Sequence, residues 1–130
     1  MIEITSILVA AIAAYAFGSI WYMALSRPWM RLAGLSGQEI NRKRPTPYII
    51  AFACTLVVAF MMQFLFAQLV ILSPVDGLII GLSVGLFIVV PWIATNYTFA
   101  MRPRLLIAID GGYAAIGCGI IGLVLNILPG

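Results

Sequence analysis

Asp110 lies inside a long apolar stretch in which it is the only charged residue. A carboxylate in such a setting either binds a proton or a cation, or clasps neighbouring helices through hydrogen bonds. Tyr113 follows it by about one helical turn and shares its face. Thr95 and Asn96, Ser19 and Thr55 are polar residues within other apolar stretches. No histidine is present, which removes imidazole as a general base and as a haem or metal ligand. Cys54 and Cys118 stand in separate apolar runs without CxxC or zinc spacing and read as packing residues. One acid without histidine, a paired base or a thiol nucleophile forms no recognised catalytic set, so neither an enzyme nor a metal or cofactor site is expected.

The elements that must position these groups follow from composition. The chain has 130 residues, 64% hydrophobic and 8% charged, far from the usage of soluble domains. A helix needs roughly 20 residues to cross the hydrocarbon core of a bilayer. Four stretches qualify: 5–25, 48–71, 77–100 and 105–128. Glu3, rather than a basic residue, precedes the first, so this stretch reads as a retained span and not as a signal peptide. A backbone in lipid must satisfy its own hydrogen bonds, and the alternating pattern of a membrane barrel is missing. The expected fold is all-α, a polytopic membrane protein forming one four-transmembrane-helix bundle over residues 1–130.

Charge orients the spans. Arg27, Arg31, Arg42, Lys43 and Arg44 lie on the first connection, and Arg102 and Arg104 on the third. Basic residues in short loops are retained in the cytoplasm. Connections 26–47 and 101–104 are therefore expected inside the inner membrane of a bacterium, with both termini and the Ser73-Pro74-Val75-Asp76 turn outside. These cations border hydrophobic spans, so anionic lipid headgroups are the expected partner and nucleic acid is not. Arg27 to Leu32 mixes cations with Trp29 and Met30, as expected of a segment at headgroup level. Ser36-Gly37-Gln38-Glu39 reads as a capping box, with Leu35 and Ile40 as its hydrophobic staple. A surface helix over about 37–44 is predicted, ended by Pro45-Thr46-Pro47.

Small residues recur every fourth position at Ala10, Ala14 and Gly18, at Gly77, Gly81 and Gly85, and at Gly111, Ala115 and Gly119. Such stripes let helix backbones approach closely, within a monomer or between copies. Pro91 cannot donate to the Phe87 carbonyl, so a kink is expected in the third span. Trp21, Tyr22, Tyr48 and Trp92 fit interfacial aromatic belts. An internal echo links Tyr22, Arg27 and Pro28 at the end of span one with Tyr97, Arg102 and Pro103 at the end of span three, at the same spacing. At about 1.5 Å per residue, Asp110, Asn96, Thr95, Ser19 and Thr55 all lie some 6–11 Å from the cytoplasmic ends of their spans. Each span can thus supply a polar atom to one layer.

The run Gly18-Ser-Ile-Trp21-Tyr22, then Pro28-Trp29-Met30, Thr95-Asn96-Tyr97 and Asp110-Gly-Gly-Tyr113, resembles the domain of unknown function family 1761. The likeness runs over nearly the whole chain. It implies a small four-span bacterial membrane protein and brings no activity, cofactor or catalytic residue with it. Two readings stay open: association, as a homo-oligomer or an accessory subunit of a membrane complex, and small-solute or proton-coupled transport through Asp110 and Asn96.

Overall fold

The fold was obtained as a computed structural model that describes residues 3–32, 45–71 and 73–128. The predicted surface helix over 37–44, with Arg42, Lys43 and Arg44, lies outside these residues. Among those described, all regular structure is helical: α1 (Ile4–Ala24), α2 (Ser26–Leu32), α3 (Thr46–Leu69), α4 (Pro74–Val84), α5 (Val90–Phe99) and α6 (Arg104–Ile127). A π-helical turn, Gly85–Val89, joins α4 to α5, so these three pieces form one continuous third span. The chain is an all-α, four-span membrane bundle.

Helix ends differ from expectation where proline was read as a stop. Pro45 precedes α3 and Pro47 sits in its first turn, where a missing N–H leaves no bond unmade. The segment therefore opens the second span. Ser73-Pro74-Val75-Asp76 likewise begins a helix: the Ser73 hydroxyl accepts from the Asp76 N–H and Pro74 takes the first position. Further along that span, the irregularity foreseen at Pro91 is the π-turn just before it, where the Val90 N–H reaches the carbonyl of Gly85. Widening the helix there makes room for a ring that would otherwise press on the preceding turn.

The fourth span is the hub. It packs against the first, second and third spans, whereas the third packs chiefly on the fourth. All three small-residue stripes lie inside this monomer. Gly77 faces the backbone of Gly122, Gly81 that of Cys118 and Gly119, and Gly85 that of Ala114 and Ala115. A β-carbon at any of these three would collide with main chain, which cannot rotate away. On the other side of α6, Ile7, Ala10, Ala11 and Ala14 of α1 meet Ala59, Met62 and Phe66 of α3 and Cys118, Ile121 and Leu125 of α6 in one core. At the end of the bundle away from the basic connections, Gln63 accepts from the Glu3 N–H at 2.8 Å and donates to the Glu3 carbonyl at 3.2 Å. It thereby satisfies one of the free donors at the start of α1.

Candidate functional site: a carboxylate clasp

At the other end, next to the basic connections, Asp110 projects from the second turn of α6 and is half-buried. Its Oδ1 accepts from the Tyr22 hydroxyl of α1 and, at 3.1 Å, from the Trp29 indole N–H of α2. Its Oδ2 accepts from the Tyr97 hydroxyl of α5. One carboxylate therefore ties together four helices. A carboxylate offers about four acceptor positions, so it can take all three donors at once. The Arg102 guanidinium stands within electrostatic range of the Tyr97 phenol.

The seam between α1 and α6 is built by reciprocal insertion. The Trp21 indole N–H donates to the Ile109 carbonyl at 3.0 Å, and its ring covers Gly112, where a β-carbon would lie 2.8 Å from Trp21 Cζ2. The Tyr113 ring covers Gly18 in return, with 2.6 Å between a β-carbon there and Cε1. Glycine is needed at both places because aromatic rings occupy the volume of its missing side chain. Tyr113 stacks on Phe17 at 6.2 Å and meets the edge of Tyr22 at 5.2 Å, and Tyr22 meets Trp29 at 6.1 Å. These offset and edge contacts hold the Tyr22 ring so that its hydroxyl points at Asp110.

Of the residues singled out from the sequence, Asp110 and Tyr113 belong to this cluster, and Thr55 borders it from α3 beside the Tyr113 hydroxyl. The Thr55 hydroxyl itself donates to the Ala51 carbonyl at 2.8 Å. Ser19, Thr95 and Asn96 are exposed on the outside of the bundle. The first two bond carbonyls four residues back, Tyr15 and Pro91. Arg27, Arg31, Arg102 and Arg104 are exposed at the end of the bundle that carries the connections. The partners that Asp110 does use, Tyr22, Trp29 and Tyr97, had a signal in the sequence. Two of them are the tyrosines of the internal echo, and each serves one carboxylate oxygen.

An open groove of about 520 Å³ lies between α1 and α3, lined by residues that include Tyr15, Tyr48, Phe52 and Leu56. It is almost entirely carbon-walled, and none of the clasp residues lines it.

No curated protein and no solved structure matches the chain. The four motifs Gly18 to Tyr22, Pro28 to Met30, Thr95 to Tyr97 and Asp110 to Tyr113 each contribute a side chain to the one cluster around Asp110. The profile of DUF1761, a family described as protein of unknown function, matches residues 5–126 and so takes in every part of that cluster, and the chain belongs to this family.

Proposed function

We propose that this DUF1761 chain is a non-enzymatic membrane protein that works by association, as a homo-oligomer or as an accessory subunit of a membrane complex, with Asp110 as the clasp that fixes its shape. The observation that carries the reading is the convergence on Asp110 of three donors from three other helices. Three fixed bonds to three other helices suit a clasp, whereas a group that takes up and releases a solute would have to break such bonds in each cycle. Transport by a joint Asp110 and Asn96 site is disfavoured, because Asn96 is turned to the outside of the bundle. We place the protein in the bacterial inner membrane with the basic connections in the cytoplasm, held at anionic headgroups by Arg27, Arg31, Arg102 and Arg104.

Two experiments test this. Asp110→Asn in proteoliposomes should lower bundle stability with no ion or solute flux to lose; a proton-driven flux that Asp110→Asn abolishes while assembly stays intact would overturn the association reading. Ser73→Cys should react with a membrane-impermeant maleimide in intact cells and Arg104→Cys only after lysis. The reverse pattern would refute the orientation.

A further inference from the structure

Polar side chains in the spans mostly turn inward or back onto their own helix. Gln63 is paired with the Glu3 backbone, and the Asn126 amide donates to the Ser73 carbonyl at 3.1 Å. The hydroxyls of Ser83 and Thr98 bond the carbonyls four residues back. Two groups on α5 depart from this pattern. Among the described residues, neither the Trp92 indole N–H nor the Asn96 side-chain amide has a hydrogen-bond partner, and both residues are exposed, Trp92 by 67%. Trp92 stands eight residues before Ala100, about 12 Å of helix. Asn96 lies one turn beyond it on the same face. Ile88, 57% exposed, and Phe99, 86% exposed, extend the stripe at helical spacing. Facing outward, the amide and the indole N–H have to be met by water, by headgroups or by a second polypeptide.

We propose that the Ile88, Trp92, Asn96 and Phe99 face is the contact between two copies of this chain. The proposal rests on the association reading above and names its surface. Copies inserted in the same sense are related by an axis along the membrane normal, so a residue beside that axis meets its own twin at its own depth. Few side chains are complementary to themselves. An amide is, since it both donates and accepts, and two Asn96 side chains can exchange N–H···O bonds across the axis. Trp92 and Phe99, one turn to either side, supply rigid apolar surface that closes lipid out of the pair. The third span packs chiefly on the fourth, so its far side is open to a second copy.

The test is disulfide trapping in native membranes with copper phenanthroline. Cys54, which is exposed, is replaced by serine, and Cys118, which is buried, is kept. Phe99→Cys should give a band at twice the chain mass. Adding Asn96→Leu should weaken the dimer about 8- to 300-fold, the range for two membrane helix hydrogen bonds, while Asn96→Gln retains it. Val57→Cys on the lipid side of α3 is the comparison. A dimer trapped by Val57→Cys and not by Phe99→Cys overturns this face and leaves association standing. A cross-link from Phe99→Cys to a different polypeptide overturns the second copy as occupant. An Asn96→Leu variant that dimerises as well as its parent overturns the role of the amide. A chain that forms no cross-link at either position and runs as a monomer overturns the face and the homo-oligomer form of the association reading together.

Discussion

Replacing Asp110 by leucine should be far more damaging than replacing it by asparagine. Leucine leaves the Tyr22 and Tyr97 hydroxyls and the Trp29 indole N–H without their acceptor. Hydrogen bonds between membrane helices average about 0.6 kcal/mol and reach about 1.7 kcal/mol, so three of them amount to about 2–5 kcal/mol. That is roughly a 30- to 4,000-fold change in the ratio of folded to unfolded protein. Asparagine keeps one oxygen for Tyr22 and Trp29, and its amide N–H can donate to a rotated Tyr97 hydroxyl, so mainly the charge assistance is lost, about 1 kcal/mol. Unfolding in mixed detergent and SDS micelles, followed by tryptophan fluorescence, separates the two. Trp21 and Trp29 flank the clasp and report its opening. A double-mutant cycle sharpens the result: Tyr22→Phe should cost about 1 kcal/mol in the parent and close to nothing in the Asp110→Leu background. The reasoning fails if Asp110→Leu is as stable as the parent, or if Tyr22→Phe costs the same in both backgrounds.

Gly81→Ala drives a β-carbon into the Cys118 carbonyl and should destabilise by about 1–3 kcal/mol. Gly117→Ala, whose nearest contact is Tyr113 Cε1 at 3.9 Å, should be neutral or slightly stabilising in the same unfolding assay. Trp29→Phe keeps an aromatic ring against Tyr22 but deletes the donor to Asp110, so α2 should undock more often and trypsin should cut after Arg31 faster than in the parent. Gln63→Leu leaves the Glu3 N–H unpaired at the start of α1, and hydrogen exchange at that amide should speed up several-fold without global unfolding.

The spans were legible in the sequence because length and apolarity alone define them in a bilayer. Their ends were less so. Pro45 and Pro47 end the expected surface helix and Pro74 belongs to an expected turn, yet a proline is equally at home in a first helical turn, and only the direction of the chain beyond it distinguishes the two. Depth was legible too, since 1.5 Å per residue put Asp110, Asn96 and Thr95 at matching heights. Azimuth was not. Asn96 and Tyr97 are neighbours in sequence and about 100° apart around the helix. Tyr97 reaches Asp110 and Asn96 faces away, which depth counting cannot see. The echo of Tyr22 with Tyr97 carried that information, because two tyrosines at equivalent places on two helices address the two oxygens of one carboxylate. The glycine stripes showed that backbones must touch, but assigning Gly77, Gly81 and Gly85 to α6 required knowing which helix lay opposite.

A hub that comes fourth in the order of synthesis imposes a timetable on biogenesis. Until α6 leaves the ribosome, the third span lacks the helix it is built to rest on. Tyr22, Trp29 and Tyr97 are likewise waiting for an acceptor that has not yet been translated. Only α1 and α3 can pair early, through Ala10, Ala14 and Ala59. Maturation of this bundle is therefore a single late event triggered by its fourth span, and the interval before it is when an insertase or membrane protease would find the chain most open to capture.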